Sequence, residues 1–478
     1  MRVLLPAAAV PLLAACAQVF GIADTTAAKG EATLAIERVS VGGTVSVGPQ
    51  DLSMQTATFY LPADATTLDA VPGAMTATGT WSAQVQGTPF VAFTLPDLPM
   101  PVDHVWALPS TQVAGDFIAH EHADPQPAFS TSQVALAINL PTQYQTTEAL
   151  EVYVVGAWAS YVLTGLELPG SGATAIATTI PYAMFSTVTE SPAVAIDASD
   201  VVLVLRSLNA QLTGVYQTSF DQTAGTDNLT GNMLAVDADQ MFAGPIDPTT
   251  VSTRLSAARP SVNGPAVTWD VRAAPGYEHG DTAGPSLVSG AVATGGTSIA
   301  AMYGNPFESL GWPAIATVSL TEGRSYTFMG APLLLGATVS VIGQADGLQL
   351  DFAAPIPEQV NLDDNQLVID GATVTIDATA AHQMTLQIEN RPAQLYELSL
   401  YDLTVSSTSV AAQLVLDAVA TDPTFTIPPD FFQDGHTYIP AARTISSGFP
   451  NAGDGDLQQR TLPVETAVFE GGVFTVNP

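Results

Sequence analysis

Hydrophobic residues along this chain recur mainly at every second position, the period of a strand with one face buried. Residues 33–47 (TLAIERVSVGGTVSV) alternate on both sides of Gly42-Gly43 and predict a hairpin turning at the glycines. Residues 91–95 and 134–140 alternate in the same way. Residues 150–155 and 201–205 are continuous apolar runs, the pattern of strands covered on both faces. Towards the end the chain reads as successive strands: Val374 and Ile376, then Met384, Leu386 and Ile388, then Tyr396, Leu398 and Leu400, then Leu414, Leu416 and Ala418. The 3.6-residue helical period is scarce.

The punctuation agrees with this pattern. With 38 Gly and 35 Pro spread through the chain, turns are frequent and the strands between them short. The Pro-rich stretch 95–109 is expected to be a long loop. Residues 243–250 (AGPIDPTT) are expected to be a linker and the main domain boundary. The fold class is therefore all-β, as tandem antiparallel β-sandwich domains. The expected units are 31–243, as one region or as two sandwiches split near 130, then 251–345, then 355–476. A single large membrane barrel is the competing architecture, disfavoured by few aromatic residues for girdles.

At 478 residues the chain is long enough for several domains. Aromatic residues are only 7% against 47% hydrophobic, so the core must be aliphatic. The net charge is −34, from 45 acidic and 11 basic residues, and Lys29 is the only lysine. Such a surface repels nucleic acid and anionic lipid head groups. Low lysine with high acid is the composition of proteins from saline habitats, and a GC-rich genome gives the same bias. Cys16 is the only cysteine, so no disulfide forms within the chain.

That cysteine closes an apolar segment. Met1-Arg2 opens with a positive charge, residues 3–15 are apolar and too short to span a bilayer, and the segment ends Leu13-Ala14-Ala15-Cys16. The string resembles a bacterial lipoprotein signal. The resemblance implies cleavage after residues 1–15, diacylglycerol on the Cys16 thiol, and a flexible tether over 16–30. The membrane is then a partner through the N-terminal lipid anchor. Ala17, where an Asp would retain many lipoproteins at the inner membrane, implies the outer membrane. An ordinary secretory signal cut at Ala15-Cys16-Ala17 is the alternative.

Near the C-terminus, Phe425-Thr426-Ile427-Pro428-Pro429-Asp430 precedes Phe431-Phe432-Gln433-Asp434-Gly435-His436-Thr437-Tyr438. This resembles the corner between strands E and F of fibronectin type III domains. The resemblance covers about 355–476 and implies that Phe432 fills the corner. It also implies that Tyr438 bonds back to the backbone through its hydroxyl. The tryptophan that the family carries on an early strand is missing, and the insert 446–462 is longer than usual.

Candidate chemistry is sparse. Phe117-Ile118-Ala119-His120-Glu121-His122-Ala123-Asp124 places His120 and His122 on one face if it is a strand. Those imidazoles could share a metal, with His104, Asp116 or Asp124 completing the set. The string is not the His-Glu-x-x-His of zinc proteases, and a solvated loop before Pro125 and Pro127 is the plainer reading. Asp454 and Asp456 alternate with glycine in residues 451–456, and 361–365 is similarly acidic. Either loop suggests structural calcium, which wants six to eight oxygens, or turn chemistry alone. There is no Gly-x-Ser-x-Gly elbow and no phosphate loop. Phe307 and Trp312, beside Tyr303-Gly304-Asn305-Pro306, read as core plugs beneath a loop in preference to a sugar-stacking platform.

No catalytic residue and no cofactor beyond possible-site calcium is assigned. The expected function is a binding or structural role at the bacterial cell envelope, holding a protein or polysaccharide partner and no nucleic acid. Two alternatives stay open: an envelope hydrolase or metal-dependent enzyme using His104, His120 and His122, and an envelope assembly factor.

Overall fold

The computed structural model describes residues 28–33, 35–39, 45–49, 57–62, 67–85, 90–95, 102–107, 118–119, 131–155, 159–187, 201–219, 221–258, 266–274, 284–293, 295–369, 373–406, 409–457 and 460–477. Among them the protein is nearly all β, with a single α-helix, Pro248–Ala258. No helix among the described residues is long and apolar enough to cross a membrane.

The predicted first hairpin is formed. Ala35–Val39 pairs antiparallel with Val45–Pro49, from Ala35↔Pro49 to Val39↔Val45. Nearby, Ala28–Thr33 pairs with Thr80–Val85, whose Trp81, Ala83 and Val85 alternate inward. These residues share a small core with Phe59 and Val91 and with Leu395 and Ile445 from the far end of the chain.

Residues 131–235 hold a sandwich. Gln133–Asn139 lies between Ala175–Pro181, antiparallel, and Thr226–Asn232, parallel. Its Val134, Leu136 and Ile138 point inward at the two-residue period. Facing them are Glu148–Val154 and Val202–Leu208, which pair with each other. Here the continuous apolar runs are explained. Val152, Val154, Val202 and Val204 pack into this sandwich, whereas Tyr153, Leu203 and Leu205 point out of it into the main core. One sheet is thus covered on both sides, and alternation is not needed.

A buried ion pair bolts the sandwich. Arg206 Nη2 donates to Glu148 Oε1 at 2.7 Å and to the Gln143 carbonyl at 2.9 Å, and Nη1 donates to the Thr142 carbonyl at 3.1 Å. Glu148 Oε2 in turn accepts the Gln145 N–H at 2.9 Å. Both charges are dry but multiply bonded, the condition under which a buried pair is tolerated. Burial, and then the Glu148 charge, push the neighbouring Tyr144 phenol up from its ordinary 10.0.

The main sheet runs through the rest of the molecule. Ser286–Val292 pairs with Ala266–Ala273, which pairs with Ala314–Phe328, itself half of a long hairpin with Ala331–Gln344. That hairpin pairs with Val464–Glu470, then Thr437–Ile445, Leu395–Val405 and Val410–Ala420. The last of these takes Val102–Ala107 as a parallel neighbour, and Phe90–Leu95 follows. Hydrogen bonding therefore crosses the boundary expected between 345 and 355, and the strands on both sides share one core.

A second layer covers that core. It contains the four-stranded sheet in the order Asn365–Gln366, Pro357–Leu362, His382–Ile388, Thr424–Ile427. It also contains the pair Gln240–Pro245 and Ser298–Tyr303, and the helix, which turns Val251 and Leu255 inward.

Two expectations from the sequence are corrected. Residues 243–250 are not a linker: they are the end of strand Gln240–Pro245 and the first turn of the helix. Asp247 is the reason. Its carboxylate accepts the Thr250 N–H at 3.0 Å and the Thr250 hydroxyl at 2.6 Å, and Pro248 opens the helix. Residues 95–109 are not simply a loop, because Val102–Ala107 is a strand within them, using Val410–Ala420 as a template that lies far away in sequence.

Candidate functional site

The residues chosen from sequence for metal binding are only partly placed. His104 lies on strand Val102–Ala107, opposite Phe93 on one side and Asp417 on the other. Cys16, His120, His122 and Asp124 lie outside the described residues. Asp454 ends the short turn Ala452–Asp454 and is exposed. Asp456 accepts a hydrogen bond from Asn451 Nδ2 at 3.3 Å. Among the described residues no group of three His, Cys, Asp or Glu side chains is gathered to hold a metal ion.

The acidic loop 361–365 has a structural occupation. Asp363 and Asp364 both take positive φ, of 47° and 63°, in the turn between Pro357–Leu362 and Asn365–Gln366. Asp363 Oδ2 lies 2.6 Å from His382 Nδ1, and its Oδ1 accepts the Gln383 N–H at 2.9 Å. His382 Nε2 lies 2.7 Å from the Asp377 carbonyl, so the buried ring is clamped at both nitrogens.

The aromatic stretch singled out in the sequence borders a surface cleft. Phe307 and Trp312 are both fully buried and stack at 5.2 Å, as core plugs. Asn305 staples the loop above them: its Nδ2 donates to the Trp312 carbonyl at 2.8 Å and its Oδ1 accepts the Phe307 N–H at 3.0 Å. Gly304 is required by close approach, since a Cβ there would stand 2.1 Å from the Asp237 carbonyl oxygen. These contacts tie the backbone of the loop to the residues beneath it.

Against this loop lies a cleft of about 490 Å³. Tyr303, the last residue of its strand, forms part of the wall, with Gln240 opposite it in register. Glu308 and Asp346 are the charged residues lining it, and Met241 and Pro313 supply apolar surface. A second cleft of about 520 Å³ shares Gln344 and Asp346 and is bounded beyond them by Arg460. Gln240 Nε2 donates to Glu308 Oε1 at 2.5 Å and orients that carboxylate. Tyr303 is only 3% exposed. Burial first, then the charges of Asp346 and Glu308, push its phenol above the ordinary 10.0. Glu308 and Asp346 give this wall negative charge, and among the described residues lining it there is no nucleophile paired with a base.

Tyr303 was visible in the sequence as part of an aromatic string. Glu308 and Asp346 were not, because in a chain with 45 acidic residues no single carboxylate stands out. The chain matches no protein-family model and no curated protein.

Proposed function

We propose that this protein is a lipid-anchored lipoprotein of the bacterial outer membrane with a binding or structural role, and that its partner is a protein or a polysaccharide. The observation that carries the reading is the single cysteine placed at Leu13-Ala14-Ala15-Cys16, ahead of a nearly all-β chain. Acyl chains on Cys16 supply about 0.8 kcal/mol per buried CH₂, enough for a firm tether without a transmembrane helix. The hydrogen-bonded sheets then supply a surface for display or docking.

The fibronectin type III reading of 355–476 is part of the same proposal, and the strand order supports it. Leu395–Val405 sits between Thr437–Ile445 and Val410–Ala420, with Val464–Glu470 beyond, facing the sheet of Pro357–Leu362, His382–Ile388 and Thr424–Ile427. Tyr438 is buried, and its hydroxyl accepts the Gln433 N–H at 3.0 Å, a bond back to the backbone before the strand. Phe432 packs edge-on to Tyr438 and Phe474 at 6.1 Å and 6.0 Å, in the corner.

Metabolic labelling with a fatty acid, in cells making the wild type or Cys16→Ala, tests the tether. Label confined to the wild type is the expected result; label retained by Cys16→Ala, or absent from both, overturns it. Protease applied to intact cells then reads the orientation. Loss of the C-terminal half places the sandwiches outside and favours capture of an external partner, and protection until the outer membrane is opened favours a periplasmic one.

A further inference from the structure

We infer that the outer edge of strand Ala175–Pro181 pairs with the same edge of a second copy of this chain, joining two sandwiches through one continuous antiparallel sheet. The inference stands apart from the envelope reading, because it uses the hydrogen bonding of one strand and not where the chain is tethered.

The ladder fixes which backbone groups are open. The Leu140 N–H donates to the Thr174 carbonyl at 2.8 Å and the Tyr182 N–H to the Ser132 carbonyl at 3.0 Å. Both pairs continue the register of Gln133–Asn139 against Ala175–Pro181. In an antiparallel ladder the bonded pairs recur at every second residue. Ile176, Thr178 and Ile180 therefore bond to Gln133–Asn139, and Ala175, Ala177 and Thr179 turn their N–H and C=O groups to the other side. No strand among the described residues pairs there, and Ala177 and Thr179 are exposed.

The opposite edge of this three-stranded sheet, Thr226–Asn232, is guarded. The Tyr216 hydroxyl donates to the Thr230 carbonyl at 3.2 Å, Asn228 Nδ2 donates to the Thr226 carbonyl at 3.5 Å, and Asp227 adds a charge. Charge, bulges and internal proline are what keep natural edges from pairing. Ala175–Pro181 has none of them along its open run: its register against Gln133–Asn139 is unbroken, and residues 168–189 contain no charged side chain.

Charge, register and surface each select a second copy as the occupant. At −34 per chain, two copies repel over most of their surface and approach most easily where neither carries charge. The open run is also complementary to itself. With Ala177 opposite the partner's Ala177, Ala175 meets the partner's Thr179 and Thr179 the partner's Ala175, and each pair exchanges two hydrogen bonds. The run is bounded at both ends, since Pro181 has no N–H and Ala173 already donates to the Gly170 carbonyl at 2.9 Å and accepts the Tyr144 N–H at 2.8 Å. A two-residue slip in either direction sets an open residue against Ala173 or Pro181 and loses bonds. Exposed apolar side chains flank the same edge. Leu166 is fully exposed on the turn Gly165–Glu167, which packs beside Ala175–Pro181. Met184 follows the strand and Val162 ends strand Ala159–Val162, both at least half exposed. Their chain neighbours Phe185 and Tyr161 meet at 5.9 Å, so these two lie on one flank. Apolar side chains exposed together mark a contact surface.

Sedimentation velocity of the purified full chain, from about 1 to 100 µM, reads the oligomeric state, at low salt and at about 0.5 M NaCl. Ala177→Pro removes one outward N–H and leaves the bonds to Gln133–Asn139 in place. Ala177→Lys sets two ammonium groups opposite each other. Asn228→Lys, on the guarded edge, is the control, and circular dichroism confirms that each variant is folded. Ala177→Cys, made in a Cys16→Ala chain and oxidised, reports the register, because Cα atoms about 5.5 Å apart across a bonded pair lie within disulfide reach. The expected result is a monomer–dimer equilibrium that salt strengthens, at least about tenfold weaker in both Ala177 variants and unchanged in Asn228→Lys, with a covalent dimer from the cysteine variant. The inference is overturned if the folded wild type is monomeric under every condition, if its dimer survives both Ala177 variants, or if the cysteine variant forms no covalent dimer. If such a monomer binds a synthetic peptide of residues 173–182, the edge takes a strand from another protein instead.

Discussion

Arg254 on the helix and Glu389 after strand His382–Ile388 clasp each other across the second layer of the protein. Nη2 reaches Oε2 at 2.6 Å and Nε reaches Oε1 at 2.9 Å. The same guanidinium donates to the carbonyls of Phe352 and Ala354, both at 2.6 Å, while Glu389 Oε2 accepts the Ile356 N–H at 3.0 Å. One ion pair thereby fixes the connection that leads from the long hairpin into Pro357–Leu362. It replaces the flexible joint that a tandem arrangement would place between 345 and 355.

Breaking this clasp is expected to be costly. The side chains are 11% and 16% exposed, so Glu389→Gln leaves a largely buried guanidinium without its counter-charge. The expected loss is about 2–3 kcal/mol, a little under that for a fully buried pair. Burial raises the Glu389 carboxyl, but the Arg254 bond, the Ile356 N–H and the nearby arginine charges outweigh it and leave it below its ordinary 4.5. A depressed acid contributes stability above its unfolded value and loses it as pH falls through the folded one. Urea unfolding at pH 7 and on the acid side checks both points. The wild type loses its advantage over Glu389→Gln only below about pH 4.5, and a constant gap down to pH 2 would refute the assignment.

Tyr438 offers a finer test. Tyr438→Phe keeps the ring that stacks on Phe474 at 5.5 Å and removes the oxygen that accepts the Gln433 N–H. The expected cost is about 1 kcal/mol, the net worth of one hydrogen bond. Phe432→Ala removes the ring packed edge-on against Tyr438 and Phe474 and is expected to cost about 3–5 kcal/mol. Thermal melts of both variants rank the two contributions; equal effects would show that the hydroxyl, not the packing, organises the turn.

Much of this architecture was legible in the chain, and what was not has a physical cause. Period-2 alternation marked Gln133–Asn139 correctly because one face of that strand meets a core and the other meets water. The apolar run at 201–205 marked a strand buried on both sides, which the structure places between two cores. The helix at Pro248–Ala258 was hidden because only Val251 and Leu255 are buried on it, too few for a periodic signal. Its start was nevertheless written in Asp247-Pro248, a cap and an N1 proline read instead as a linker. The strand at Val102–Ala107 was invisible for a different reason: its partner Val410–Ala420 lies some three hundred residues away, and no local pattern reports a long-range template. At the cleft, the rigid loop announced itself by its aromatics, while Glu308 and Asp346 became a pair only on folding.

Gln222 provides a prediction of the opposite sign. Its side chain is buried at 7% exposure, and neither its Oε1 nor its Nε2 has a hydrogen-bond partner among the described residues. An unsatisfied buried amide is destabilising, and replacing it with an apolar side chain of similar shape removes the penalty. Gln222→Met is expected to raise stability by about 1 kcal/mol, measured as a higher urea midpoint at unchanged slope. A lower midpoint would mean that the amide is satisfied in solution, for instance by an internal water.

Asp417 carries the last prediction. It sits on Val410–Ala420, in register with Ser399 on one neighbour and His104 on the other. Ser399 Oγ donates to its Oδ1 at 3.1 Å. Burial is the largest influence on this carboxyl and raises it above its ordinary 3.8, with the Ser399 bond and the Arg443 charge opposing only in part. An acid with a raised folded value favours folding while it is protonated. That contribution is present below the unfolded value and is lost as pH rises through the folded one. Asp417→Asn keeps an oxygen for Ser399 and cannot ionise, so it is expected to be more stable than the wild type at pH 7, by about 1 kcal/mol. The two should converge as pH falls towards 4. A second readout is independent of unfolding. Tyr401 is pushed above 10.0 by burial first and by the Asp417 charge next, so its phenol should titrate at lower pH in Asp417→Asn. If the stability curves run parallel from pH 4 to 7 and the Tyr401 titration does not move, Asp417 is hydrated in solution and this face of the sheet is open to water.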